Sequence, residues 1–175
     1  MDSHSEALLS LVFPPLAAGV RQMAGILAAE LPAVTIRAVQ GLRTWPEQWA
    51  LWFKGRDANG KIVDPSQVVT HAKPGSSYHN YGLAVDVAPF DVNGLPDWNS
   101  QHPCWQRIVA VGELVGLYSG SHFKGAPTPQ FPGGKPETDI PHFQLTGRFP
   151  HEPDDEVLYF FKEAGLQGLW AEVLK

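Results

Sequence analysis

The 175-residue chain reads as a single α+β domain. Helical and strand patterns follow one another without regular alternation, which argues against repeated βαβ units. No internal repeat or low-complexity linker divides the chain, so residues 1–175 are taken as one domain. Sixteen prolines and seventeen glycines favour long ordered loops over long helices.

Leu16, Val20, Met23, Leu27 and Leu31 fall at helical spacing and predict a packing helix over 16–31, with Pro15 in its first turn. Val34 to Gln40 alternates and reads as a strand, with Val34, Ile36 and Ala38 on one face. Thr44-Trp45-Pro46-Glu47 is a capping box, opening a short helix that ends near Lys54-Gly55. Residues 56–76 are polar, with Pro and Gly, and read as a long loop. Gly82 to Val87 reads as a strand with Ala84 and Asp86 on one face and Leu83, Val85 and Val87 toward the core. Asp91-Val92-Asn93-Gly94 is a turn. Pro103 to Val115 predicts a helix with Trp105, Ile108, Val109 and Gly112 inside. Residues 119–139 form a second long loop. His142 to Leu145 alternates as a short strand, and 154–163 and 166–174 read as C-terminal helices. The six tryptophans are expected mostly in the core, with one or two near a cleft.

Composition narrows the function. Hydrophobic residues make up 43% and charged residues 18%, as in ordinary soluble globular proteins. The net charge of -5, with no Lys/Arg cluster, argues against nucleic-acid binding and against a strongly basic wall-binding surface. A lone cysteine, Cys104, rules out an internal disulfide and multi-Cys zinc sites, and reads as a small buried residue on a helix. No stretch reaches the ~20 apolar residues of a membrane span. The N-terminus lacks the positive region of a secretory signal, so the chain is expected to be cytoplasmic as synthesised.

The chemistry concentrates in two segments. Ser77-x-His79-x-x-Gly82-x-Ala84-x-Asp86 places a histidine and an aspartate seven apart, where a loop enters a strand. Small Ala84 leaves room for an ion beside Asp86, and Gly82 lets the chain bend toward it. Asp139-Ile140-Pro141-His142 follows some fifty residues later. Two imidazoles and one carboxylate can take three corners of a tetrahedron around zinc, the fourth staying open for water, as in catalytic zinc sites. His79, Asp86 and His142 are the candidate ligands. Asp139 is the candidate proton acceptor for that water. Arg43, between a strand end and a capped helix, could aim a permanent cation at a substrate carbonyl and its oxyanion. Gln48 and Ser77 are candidates for substrate hydrogen bonding. His4, His71, His102, His122 and His151 are set aside, although His71 and His122 lie on the long loops and could line a cleft.

These residues resemble the zinc D-alanyl-D-alanine carboxypeptidase/L-alanyl-D-glutamate endopeptidase family, the VanY-like and phage-endolysin peptidases. The resemblance runs from about residue 8 to 147. It rests on the Ser77–Asp86 motif, on Asp139-x-x-His142 followed by Phe143-Gln144, and on Gly41-Leu42-Arg43-Thr44 with Glu47-Gln48. It implies a Hedgehog/DD-peptidase-like fold, with a small antiparallel sheet carrying the zinc site and helices flanking it. It also implies zinc on His79, Asp86 and His142, Asp139 as catalytic base and Arg43 as oxyanion cation. The Gly-Leu-Arg-Thr block and the Pro-His-Phe-Gln ending are most similar to the endolysin-type L-alanyl-D-glutamate branch. Many members carry Trp-Gly-Gly after the last core helix, where this chain has Tyr118-Ser119-Gly120-Ser121-His122-Phe123.

The expectation is therefore a monomeric zinc peptidase acting on the peptidoglycan stem peptide, reaching the wall through a holin-like pore or on lysis. Two alternatives stand beside it. One is the same chemistry with D-alanyl-D-alanine carboxypeptidase or dipeptidase specificity. The other is a catalytically silent module that binds wall peptides.

Overall fold

Asp2 caps the first helix, α1 (Ser3–Leu9), by accepting from the Ser5 amide at 2.8 Å. The structure, a computed structural model, describes residues 1–123 and 139–175. Pro14 and Pro15 open α2 (Pro14–Glu30), where a proline's missing N–H costs nothing. Leu16, Val20, Met23 and Leu27 of α2 are buried, as their spacing requires. The first strand is β1 (Thr35–Gln40), with Ile36 and Ala38 buried on one face. The Thr44/Glu47 capping box is formed in both directions and opens α3 (Trp45–Trp52).

A single 3-10 turn, Tyr78–Tyr81, ends at Gly82 in the left-handed region (φ 63°) and hands the chain to β2 (Ala84–Phe90). A Cβ on Gly82 would stand 2.9 Å from Trp170, so the bend and the packing both call for glycine here. The predicted turn after β2 is present, with Gly94 N–H donating to Asp91 O at 3.0 Å. His102 caps α4 (Pro103–Leu114) through its ring nitrogen. Val111 joins Trp105, Ile108 and Gly112 inside, while Val109 is half-buried. Of the second long loop, Tyr118–Ser119 forms a short strand, β3, and Gly120–His122 a 3-10 turn. Residues 124–138 of that loop lie outside the described residues. The last strand is β4 (His142–Gln144). The two expected C-terminal helices run on from each other as α5 (Asp155–Val173), broken at Gly165 (φ 65°, ψ -165°).

The sheet is antiparallel throughout, in the order β1-β2-β4-β3. β2 and β4 are its central strands, and the ladder sets Ala84 opposite Gln144, Val85 opposite Phe143 and Asp86 opposite His142. Side chains alternate across a sheet, so Val85, Val87 and Phe143 share one face, and Ala84, Asp86, His142 and Gln144 the other. Helix α4 presses on the first face: a Cβ on Gly112 would come within 2.2 Å of the Phe143 ring. Helix α2 packs on α4 and β1. Helix α5 holds the other end, where Trp170 Nε1–H donates to Tyr81 O at 2.8 Å and ties α5 to the 3-10 turn. None of the described helices is long and apolar enough to cross a membrane.

The expectation of mostly buried tryptophans is overturned. Trp105 and Trp170 are buried, but Trp45, Trp49 and Trp98 are exposed and Trp52 is half-buried. The reason is local: α3 buries one residue, Gln48, and turns its aromatic side outward, where Trp49, Trp52 and Phe53 pack on one another.

Two glycines should respond oppositely to alanine. Gly112→Ala overpacks the α4–Phe143 contact and is expected to destabilise by about 1–3 kcal/mol. Gly25→Ala, on the exposed side of α2 with nothing within 4 Å of the added Cβ, is expected to stabilise by about 0.5–1 kcal/mol. Urea unfolding of the two variants measures both signs.

Candidate active site

The site is built by register. Asp86 on β2 and His142 on β4 are directly opposed across the antiparallel ladder, on the face away from α4. His79 reaches them from the 3-10 turn that precedes β2. His79 Nε2 lies 3.1 Å, and His142 Nδ1 3.4 Å, from Asp86 Oδ1. The three donor atoms all lie within 4.8 Å of one another. Donors at zinc-like bond lengths of ~2.0–2.1 Å around a tetrahedral ion stand roughly 3.3 Å apart. Both measured separations fit that figure, and the two-nitrogen, one-oxygen set suits zinc.

Each imidazole has its other nitrogen occupied. His79 Nδ1 is 2.8 Å from the Gly41 carbonyl, which accepts its proton and leaves Nε2 as the free donor atom. His142 Nε2 is 2.9 Å from Gln144 Oε1, which likewise leaves Nδ1 to face Asp86. Gln144 is itself fixed, because its amide N–H donates to the His151 carbonyl at 2.9 Å. The Gln144 and Gly41 contacts were absent from the sequence reading. Gln144 was reachable, since a strand residue two beyond His142 shares its face. A backbone carbonyl from another segment carries no such signal.

Charge is balanced tightly. Burial opposes a negative Asp86, but attraction and hydrogen bonds from His79 and His142 outweigh it and hold the carboxyl well below the usual carboxylate range. Burial also opposes a charged His142, yet Asp86 raises that ring above the ordinary imidazole value. Arg43 is lowered by burial, with Asp86, Asp139 and Glu47 acting against that. It remains a cation, as arginine does in proteins. Its Nη2 is 3.8 Å from Asp86 Oδ2.

Asp139 lies beside this group, close enough for its charge to act on Asp86, His142, His79 and Arg43. Its N–H donates to Gly120 O and its own carbonyl accepts from His142 N–H, both at 3.0 Å, which folds it back toward the ligand histidine. Gly120 is needed there, because a Cβ would meet Asp139 O at 2.4 Å. Desolvation of the Asp139 carboxyl, then the Asp86 charge, push it above the usual carboxylate range, while His142, His79 and Arg43 pull it back. Asp139 as a residue is exposed.

The remaining candidates divide. Ser77 is half-buried at the start of the 3-10 turn, and its side chain caps nothing. Gln48, expected to contact substrate, instead has its amide engaged within the protein. It is fully buried behind Arg43, with both ends of its amide engaged. His71 is exposed beside Arg56, and His122 pairs with Glu113 at 2.5 Å. His151 stacks on Tyr118 at 3.6 Å between centroids, and the Phe123 ring stands 5.1 Å from His142.

The model of the VanY family, described as D-alanyl-D-alanine carboxypeptidase, matches residues 14–120, more than half of the chain. The chain belongs to the VanY family. The match takes in Arg43, His79 and Asp86 and ends before Asp139 and His142, which the β2–β4 pairing joins to them. Among curated proteins, the peptidoglycan L-alanyl-D-glutamate endopeptidase CwlK of Bacillus subtilis is 32% identical over 114 residues, 60% of this chain. The chain spans 65% of that relative's length. Among solved structures, the Serratia marcescens L-Ala D-Glu endopeptidase ChiX matches with a TM-score of 0.55 at 22% identity, covering 83% of this chain and 89% of that one. The LdcB LD-carboxypeptidase matches with a TM-score of 0.51 at 19% identity, covering 76% of this chain and 64% of that one. These structural likenesses support the VanY-family fold, with the small antiparallel sheet at its centre.

Replacing Gln144 by Leu removes the acceptor that orients His142. Affinity for zinc, measured by competition with a chromogenic chelator, is expected to fall about 10- to 100-fold. An unchanged affinity would mean that Gln144 does not set the ring's tautomer.

Proposed function

We propose that this chain is a zinc peptidase that hydrolyses the L-alanyl–D-glutamate bond of the peptidoglycan stem peptide. The observation that carries the reading is the convergence of His79, Asp86 and His142 with a cation, Arg43, and a second carboxylate, Asp139, at one opening. The relatives CwlK and ChiX, whose names specify that bond, favour it over other stem-peptide bonds. Zinc held by the three ligands would supply a Lewis acid and make a water molecule acidic enough to deprotonate near neutral pH.

The chain's own groups do the rest. Asp139 accepts the proton of the attacking water and later delivers it to the leaving amine. Arg43 faces the oxygen that gains charge as water adds to the carbonyl, and its burial strengthens that interaction. Ser77, with no cap to make, is free to hydrogen-bond the peptide. The Gly41–Thr44 block and the Pro141–Gln144 ending favour the endolysin-type branch, with the enzyme working as a monomer that reaches the wall through a holin-like pore or on lysis.

One observation supports a second reading, a D-alanyl-D-alanine carboxypeptidase: that is how the matching family model is described. Mass spectrometry of defined muropeptides separates the two. A chelator-sensitive cut after L-Ala is expected; release of D-Ala alone would move the protein to the carboxypeptidase reading. Asp139→Ala is expected to keep stoichiometric zinc and to lose turnover by about 10²- to 10⁴-fold. A variant that holds zinc and cuts at the parent rate would remove Asp139 from the mechanism.

A further inference from the structure

Arg43 is enclosed by a circuit of hydrogen bonds that passes through Gln48. Gln48 Oε1 accepts from Arg43 Nη1 at 2.9 Å, and Gln48 Nε2 donates to Ala72 O at 2.8 Å. The chain returns from Ala72 through Gly75, whose N–H donates to Asn80 Oδ1 at 2.9 Å. Asn80 Nδ2 then donates to Arg43 O at 3.0 Å, and Arg43 N–H donates to His79 O at 2.9 Å. The guanidinium, its backbone, the end of the 56–76 loop and the zinc motif thus form one closed unit.

Within it, Gln48 makes the one hydrogen bond to the guanidinium among the described residues. Among the described residues, Arg43 Nε is buried without a partner, and Nη2 at 3.8 Å from Asp86 is too far for a hydrogen bond. An arginine side chain is long and rich in rotamers, so an unheld Arg43 would sample several positions. A neutral amide suits the task. It fixes the fork without cancelling the positive charge that a developing oxyanion needs, whereas a carboxylate there would neutralise it. The Ala72 carbonyl settles which end of the amide points at Arg43, because a reversed amide would set donor against donor on one side and acceptor against acceptor on the other.

We infer that Gln48 is a positioning residue, which holds Arg43 at the zinc-binding group and couples it to the 56–76 loop without touching substrate. The inference rests on the peptidase reading for the role of Arg43. It goes beyond that reading by assigning the orientation of the cation to a buried residue on the far side of it. Arg43 is needed chiefly once charge has developed on the carbonyl oxygen, so displacing it should reduce kcat and spare KM.

The test is a double-mutant cycle of Gln48→Met and Arg43→Ala, read by muropeptide turnover with zinc content and thermal unfolding of every variant. Gln48→Asn, which keeps an amide too short to reach Arg43, replaces Gln48→Met if the latter fails to fold. In the parent background kcat is expected to fall about 10- to 100-fold, with KM within about threefold and zinc content unchanged. In the Arg43→Ala background the same change is expected to cost almost nothing. Equal losses in both backgrounds, or a rise confined to KM, would overturn the inference in favour of direct substrate contact. An arm independent of substrate follows the Arg43 side-chain N–H signals by NMR. They are expected to be protected from exchange in the parent and fast-exchanging in the Gln48 variant; equal protection in both overturns the inference. A parent that cuts no muropeptide while showing this protection change would sink the peptidase reading and leave the positioning role standing.

Discussion

The site depends on one backbone register, the pairing of Asp86 with His142 across β2 and β4. A slip of a single residue would turn both side chains onto the face that α4 covers and bring Val85 or Phe143 into the opening. The register is held by what lies on that opposite face. Phe143 fits against Gly112 so closely that even a methyl group would collide with it. The apolar side of the sheet therefore fixes the geometry of the polar side, and metal affinity is expected to be sensitive to core packing some distance from the ligands.

His79, the third candidate ligand, comes from outside the sheet, and the fold commits buried polar contacts to holding it. Gly82 ends the 3-10 turn in a left-handed conformation, and Trp170 and Tyr78 clamp the turn to α5 and to Pro150. The Gly41 carbonyl, at the end of β1, fixes the His79 ring. Neutral acceptors are used throughout: a carbonyl for His79, an amide for His142 and another amide for Arg43. Such partners orient the rings and the guanidinium while leaving the net charge of the site to Asp86, Asp139 and Arg43.

Most of this arrangement was legible in the sequence because its signals are local. The Thr44/Glu47 capping box, the run from His79 through Gly82 to Asp86 and the Asp139–His142 pair each lie within about a turn or a strand. His79, Asp86 and His142 come together as those motifs require. What stayed hidden depends on which way an element faces. Helix α3 carries Trp45, Trp49 and Trp52 with one glutamine, so hydrophobicity alone points the aromatics inward; the fold buries Gln48 instead, because Arg43 and the Ala72 carbonyl need its amide. The His151 carbonyl that fixes Gln144 is a backbone group brought in by tertiary structure, and no side-chain pattern marks it.

The most direct test of the account is the zinc coordination itself, read from anomalous diffraction of a zinc-loaded crystal. The account requires one ion bound by His79 Nε2, His142 Nδ1 and a carboxylate oxygen of Asp86, with a solvent molecule as the remaining ligand and Asp139 close by but uncoordinated. An ion bound through His142 Nε2, or one whose fourth position is closed by Asp139, would contradict it, since neither the Gln144 contact nor an open position for water would survive.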